Sequence, residues 1–188
     1  PVREAFMLLE AEGLVVRKPR RGVFVTIISE KDVAEVYGLK SILYQLGVEM
    51  AIKKFSPTEI DQLKKLTEEM WTCVKKEPPD IIAYQEIHRA FHRLILEVAG
   101  STRLTQFISI LNQQIRRFSY KSLQNRDHLH SSIRYHEKIV KAIEDKKVGL
   151  AKRFTRDHVL AGMEVLLTYL TEDQEDEGSL PKIIGSKS

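Results

Sequence analysis

Cysteine is almost absent from this chain of 188 residues. Cys73 is the only one, so an internal disulfide is excluded and a reducing compartment is indicated. Long apolar runs are also missing. The chain has no stretch of about eighteen apolar residues, which is the length that a membrane helix needs. The N-terminus, Pro1–Glu4, lacks the apolar core of a secretion signal. These absences predict a cytoplasmic protein without a membrane partner, with Cys73 as a small buried residue near Trp71.

An excess of charge of one sign is lacking as well. The net charge is only +4, which is too small to indicate nucleic-acid binding by itself. Its distribution is more informative, since residues 17–21 carry four basic side chains around one proline, whereas residues 172–177 carry five acids and one glutamine. The basic segment predicts a local site for a polyanion. The chain is otherwise ordinary for a globular protein, with 30% charged and 43% hydrophobic residues.

The first 27 residues have the pattern of a helix followed by a β-ribbon. Residues Pro1–Glu12 carry an apolar stripe at helical spacing, and Gly13 provides a stop. Two short strands follow, Leu14–Arg17 and Gly22–Thr26, and the turn between them is basic. A helix and a ribbon with a basic tip form the second half of a winged helix. Because two earlier helices are needed to complete that domain, we expect the sequence to be part of a longer one.

Residues 28–171 contain six helical segments and no strand pattern. Helix starts are marked by cap residues at Ser29, Ser56, Asp80 and Ser101, and the pair Pro78-Pro79 enforces a break. A polar joint of residues 122–127 precedes the fifth helix. We therefore predict an all-α bundle of six helices, followed by an acidic, disordered tail at 172–188.

Four histidines could meet inside this bundle. His88 and His92 lie four residues apart on the third helix, so they share one face. His136 and His158 lie on the fifth and sixth helices, each on an apolar face. Four neutral imidazoles on facing helices would form a metal site, whereas a single core histidine is more often a hydrogen-bonded polar residue. We expect His128 and His130, beside the polar joint, to be surface residues.

Several motifs resemble those of a known family. The N-terminal segments resemble the recognition helix and wing of GntR-family transcription regulators, and the later ones resemble the effector-binding FCD domain of the FadR-type subfamily. The motifs are Pro1–Ala5, Leu9–Val15, Arg20–Val25, Phe91-His92, Ala99–Leu104, and His136 with His158. The resemblance implies an antiparallel FCD-like bundle at 28–171 behind the end of a winged-helix domain at 1–27. It also implies a homodimer that binds operator DNA and responds to a small effector.

The resemblance also implies roles for residues at the DNA-binding end. Arg3 falls where the family places an arginine that contacts a base, and its guanidinium suits the two acceptors of guanine. Arg21 and Gly22 fall at the wing tip, which enters the minor groove in the family. Arg20 is assigned a phosphate contact.

Many FCD domains bind a divalent metal through Asp or Asn, a histidine four residues later, and two further histidines. This chain matches the histidines with His92, His136 and His158, but has His88 in place of the carboxylate. An all-nitrogen set favours zinc, with nickel or copper next, over manganese. It also leaves the charge of the ion uncompensated, which predicts a small carboxylate effector bound to the metal. In the alternative, His88 turns away and three histidines form a weaker site.

Cations are expected beside the effector. Lys40 stands where the family tends to have an arginine, and it would act as a point charge. Arg89 is a second candidate, and Arg93, Arg116 and Arg117 lie on the relevant helices.

An enzyme is the main alternative to a regulator, because an open metal site can support hydrolysis. The zinc-peptidase motif requires Glu directly after the first histidine, where this chain has Arg89. The nearest acids, Glu137 and Asp157, directly adjoin histidines in sequence and therefore point to other helix faces. A purely structural metal-binding bundle would leave the basic wing unexplained. The sequence thus predicts a regulator.

Overall fold

The computed structural model describes residues 1–178, except for the side chains of residues 117, 121 and 172–178. The described chain is mostly helical with one two-stranded antiparallel sheet, as predicted. In chain order the elements are α1 (Val2–Ala11), β1 (Val15–Lys18), β2 (Gly22–Val25), α2 (Glu30–Ala51), α3 (Pro57–Val74), α4 (Ile81–Ala99), α5 (Thr102–Ser122), α6 (Arg126–Glu144) and α7 (Val148–Gly178).

Local capping explains where the bundle helices begin. At the start of α2, the Ser29 hydroxyl accepts from the Asp32 N–H, and the Asp32 carboxylate accepts from the Ser29 N–H. Ser56 and Glu59 form the same reciprocal pair at the start of α3. Each pair satisfies backbone donors that a helix end otherwise leaves without partners. The predicted starts of these two helices are confirmed.

The bundle has two apolar clusters that meet at the histidines. One cluster joins α3, α4, α6 and the start of α7 to the end of α2, and the other joins α5, the later part of α7 and Leu96 of α4 to α2 up to Tyr44. The His92 ring contacts Phe91 of the first cluster at 5.5 Å between centroids and Tyr44 of the second at 4.9 Å. Polar imidazoles therefore occupy the junction of two apolar regions, where a partner for their nitrogens is needed.

A close approach between α2 and α4 depends on a glycine. A Cβ atom placed on Gly47 would lie 2.9 Å from Cδ2 of Leu96. The absent side chain thus lets α4, which carries two of the histidines, pack directly against α2.

The ribbon in front of the bundle turns through two residues with positive φ, Arg20 at 60° and Gly22 at 100°. Its strands pair antiparallel with Val15 opposite Val25. Helix α1 has no buried residue. A hydrogen bond of 3.1 Å runs from Nε2 of Gln114 on α5 to the carbonyl of Glu12 at the end of α1. This bond joins the front segment to the bundle.

Two sequence expectations are corrected by the fold. His128 is buried rather than on the surface, because the chain re-enters a helix at Arg126 under the cap of Asn125. Helix α7 continues to Gly178 instead of ending near residue 171, since glutamate and glutamine favour helix and no glycine or proline intervenes. The remainder of the expected tail lies outside the described residues. Within the described chain, no helix has the length and apolar character required to cross a membrane.

Candidate metal centre and adjoining pocket

Four imidazoles from three helices converge on one point. Helix α4 supplies His88 and His92, one turn apart, while α6 supplies His136 and α7 supplies His158. One ring nitrogen of each lies within 4.8 Å of those of the other three. The Nε2 atoms of His92 and His136 are 3.2 Å apart, and that of His158 is 3.3 Å from those of His88 and His92. The predicted convergence includes His88, which does not turn away.

Burial keeps these rings neutral. Desolvation, followed by the nearby charge of Lys40, lowers the pKa of His88 to about 3. Desolvation is also the largest cause that holds the pKa values of His92, His136 and His158 well below their usual range, and the neighbouring histidines add to it. A neutral imidazole keeps a lone pair on one nitrogen, which is the form that binds a metal ion.

The nitrogen spacing fits a shared ion. Two nitrogens held tetrahedrally at 2.0–2.1 Å from one zinc lie about 3.3–3.4 Å apart, close to the three Nε2 separations of 3.2–3.3 Å. The Nδ1 atoms of His136 and His158 are buried without a hydrogen bond. The Nε2 atoms, by contrast, point towards one another across the junction. The donor set present therefore fits a divalent transition metal that prefers nitrogen ligands.

The carboxylates that adjoin the histidines in sequence bind other side chains. Glu137 accepts a hydrogen bond of 2.7 Å from Nε1 of Trp71, and Asp157 pairs with Arg156 at 2.8 Å. Among the described residues, the cluster of metal-ligand type contains histidines only. The expectation that these two acids point away from the histidines is confirmed.

A pocket of about 400 Å³ opens beside the histidines. Besides His88, His92 and His158, it is lined by the cations Lys40, Arg89, Arg93 and Arg116 and by polar groups that include Tyr37, Asn112, Ser119 and His128. The Lys40 amine lies 4.8 Å from the centre of the Tyr37 ring. Burial lowers the pKa of Lys40 to about 7 and that of His128 to about 4. Both cations that were expected near the effector, Lys40 and Arg89, thus lie at the pocket.

Sequence reasoning missed His128, Tyr37 and Tyr44 as pocket residues. The sequence does indicate that His128 lies in the first turn of a helix, because it follows Asn125 by three residues. The Asn125 side chain accepts from the His128 N–H at 2.9 Å and caps α6. Tyr44 accepts a hydrogen bond of 3.0 Å from Asn112 across the pocket. No local pattern distinguishes these tyrosines from ordinary core residues.

The residues expected to bind DNA lie together on α1 and the ribbon, outside the helical bundle. Arg3, Arg20 and Gly22 border a shallow cavity between α1 and the ribbon, and Arg21 is exposed at the turn. The described structure thus groups these positions on one surface.

A helical domain with an internal pocket, preceded by a helix and a β-ribbon, defines a class of transcription regulators. The FCD domain family matches residues 35–161, and the chain belongs to this family of GntR-type regulators. Its relatives are regulators rather than enzymes, so the prediction of a non-enzymatic regulator is confirmed.

The similar proteins support this assignment. An uncharacterized HTH-type transcriptional regulator of Bacillus subtilis, YdhC, is 28% identical over 178 residues, which cover 94% of this chain and 78% of the relative. The gluconate operon transcriptional repressor of the same organism is 27% identical over 126 residues, which cover 67% of this chain and 51% of the repressor.

Solved structures show the same fold. McbR/YncC of Escherichia coli has a TM-score of 0.71 at 17% identity, over 93% of this chain and 83% of that one. A GntR family member from Pseudomonas syringae has a TM-score of 0.65 at 21% identity, over 94% and 73%.

Proposed function

We propose that this chain, which contains an FCD domain, acts as a cytoplasmic, homodimeric regulator that binds operator DNA. A divalent metal is held by the four histidines, and a small carboxylate in the adjoining pocket changes the affinity for DNA. The observation that carries the proposal is the convergence of four imidazoles, three buried and one half-buried, with ligand nitrogens within 4.8 Å of one another and three Nε2 separations of 3.2–3.3 Å.

Zinc is the first candidate for the ion, and nickel is the second. His88, His92, His136 and His158 would hold it, and imidazole nitrogen suits both metals better than it suits manganese. The bound ion would supply a double positive charge, and an anionic ligand would bind by adding a fifth coordination position to the four imidazoles. Because the ligand set carries no negative charge, that position favours a carboxylate more strongly than a neutral group.

The pocket beside the histidines supports the effector part of the proposal. Lys40 is buried there, and Arg89 borders the same space. A carboxylate at the metal would lie in the field of Lys40, which already acts on the pKa values of His88, His92 and His158. The attraction between the two charges would be strong in this buried site, where the effective dielectric is low.

An exposed apolar face supports the homodimer. Large apolar side chains on α2 and α5 are open to solvent, although these two helices pack against each other. They are Leu39, Ile42, Leu46, Phe107 and Ile110. A patch of this kind is typical of a protein–protein interface, and a second copy of the chain would cover it.

Two connections could carry a change in the pocket to the DNA-binding end. Helix α2, which carries Lys40, is separated from the end of strand β2 by four residues. Helix α5, which carries Arg116, is bonded to the end of α1 through Gln114 and Glu12. An effector that shifts either helix would therefore alter the placement of α1 and the ribbon, and in a dimer the spacing of the two recognition helices.

A gel-shift titration tests the proposal on the full-length protein with its own promoter DNA. The zinc-loaded protein should change its apparent affinity for the promoter by at least tenfold when a saturating organic acid is added. The His92→Ala protein should lose that response, and a His130→Ala control should keep it, because His130 is exposed and outside the cluster. An affinity that no acid changes, with zinc bound, would favour a structural role for the metal.

A further inference from the structure

The geometry points to an effector that carries at least two separated anionic groups, rather than a monocarboxylate. This inference rests on the function proposed above and specifies its ligand class. Its starting point is the charge of the pocket, which is lined by the four cations Lys40, Arg89, Arg93 and Arg116 and by no aspartate or glutamate among the described residues.

None of the four cations has an acidic partner within the described chain. Ion pairs are formed by other basic residues, such as Lys64 with Glu144 and Arg126 with Glu77. Lys40 is buried and lies over the Tyr37 ring, without a hydrogen bond to a carboxylate. Burial disfavours the protonated form of Lys40, and an anion that enters the pocket would favour that form.

The cations lie at two different depths. Lys40 is at the inner end, where it is 9% exposed and lies over the Tyr37 ring. Arg89 and Arg93 are exposed, one turn apart on α4, and Arg116 is exposed on α5. The positive charge is thus divided between the buried metal site and an outer rim that two helices form. A single carboxylate at the metal would leave the rim unpaired.

The pocket is large enough for a ligand that extends from the metal site to the outer rim. A volume of about 400 Å³ is within the range of sites for whole small molecules, roughly 300–1,000 Å³. A short acid with one carboxylate would fill only part of this space, whereas a diacid would bring a second charge towards the rim.

Isothermal titration of the zinc-loaded protein with butyrate and succinate tests the inference, because these acids share a four-carbon chain and differ by one carboxylate. Succinate should bind at least tenfold more tightly than butyrate. In the Arg93→Gln and Arg116→Gln variants the ratio of the two affinities should fall towards one. Arg103 is an exposed arginine on α5 outside the pocket. In the Arg103→Gln control, the ratio of the two affinities should therefore be unchanged.

Three outcomes would contradict the inference, and they differ in what else they affect. Equal affinities for butyrate and succinate would remove the diacid preference and leave the proposed metal and effector site intact. If zinc binds but neither acid does, the proposed carboxylate effector fails together with this inference. A succinate preference that survives in both arginine variants would show that the second charge is not recognised at the rim.

Discussion

Nε2 of His92 and Nε2 of His136 lie 3.2 Å apart, although the two residues belong to different helices and are separated by 44 positions in the chain. Both rings are buried, and burial is the largest cause of their lowered pKa values. At that distance two neutral imidazoles can share one proton or one metal ion. His158 approaches the same point at 3.3 Å from His92, so a single ion could contact all three nitrogens, whereas hydrogen bonds alone would require donor and acceptor tautomers to alternate.

Replacement of His88 should change which metal is preferred. His88→Asp restores an oxygen ligand, so affinity for manganese should rise relative to zinc by at least tenfold, because manganese prefers oxygen. His88→Ala should weaken zinc binding by at least tenfold. Competition titrations with a chromogenic chelator measure both effects. Zinc affinity unaltered in His88→Ala would show that three histidines form the site.

His128 should make the metal-free protein less stable in acid. Its folded pKa is lowered by burial to about 4, whereas an unfolded histidine has a pKa of about 6.5. The unfolded chain therefore takes up the proton first, so stability is full above pH 6.5 and is lost as the pH falls towards 4. Between pH 6.5 and 5 the loss from this one group is roughly 2 kcal/mol.

Urea unfolding at pH 7 and pH 5, with EDTA present, measures this loss. The difference in unfolding free energy between the two pH values should shrink by roughly 2 kcal/mol in His128→Gln. It should not change in His130→Gln, because His130 is exposed. An unchanged difference in His128→Gln would contradict the buried, neutral state of this ring.

The contact between α2 and α4 should tolerate no added methyl group at Gly47. Glycine to alanine within a helix normally stabilises by about 0.5–1 kcal/mol, and Gly149→Ala, with no atom within 4 Å of the new Cβ, should show this gain. Gly47→Ala should lack it, because its Cβ would lie 2.9 Å from Leu96 and overpacking costs about 1–3 kcal/mol. Thermal unfolding of the two variants compares them. Equal gains would mean that α4 can move away freely.

A charge on the exposed face of α2 should separate the dimer. Ile42 is 62% exposed within the apolar face, and Ile82 on α4 is 66% exposed outside it. Ile42→Glu should reduce the mass measured by light scattering from that of a dimer to that of a monomer, because the new carboxylate would be desolvated in the interface. Ile82→Glu serves as the matched control and should remain dimeric. A dimer that persists in Ile42→Glu would place the interface elsewhere.

Much of the fold could be predicted because its determinants are local. The reciprocal caps Ser29–Asp32 and Ser56–Glu59 lie within four residues of sequence, and the spacing of His88 and His92 alone puts them on one helix face. The convergence with His136 and His158 was inferred from apolar faces on separate helices, together with a family resemblance.

The burial of His128 could not be predicted in this way, because it depends on packing between distant segments. A Cβ atom on Gly162 of α7 would lie 3.9 Å from the His128 ring and 3.5 Å from Tyr37. Both rings therefore pack close to α7 at Gly162, and the sequence around His128 does not indicate that contact. For Arg93 and Arg116, the sequence indicates only that they lie on the relevant helices. Whether they line the pocket depends on how α4 and α5 pack.

Zinc titration of the metal-free protein, followed by elemental analysis after dialysis, tests the central claim most directly. One zinc ion per chain should bind and survive dialysis, and His136→Ala should lose it, while the His130→Ala protein should bind as tightly as the unaltered chain. A protein that folds normally but retains no zinc or nickel, or that retains it equally well in His136→Ala, would contradict the metal centre.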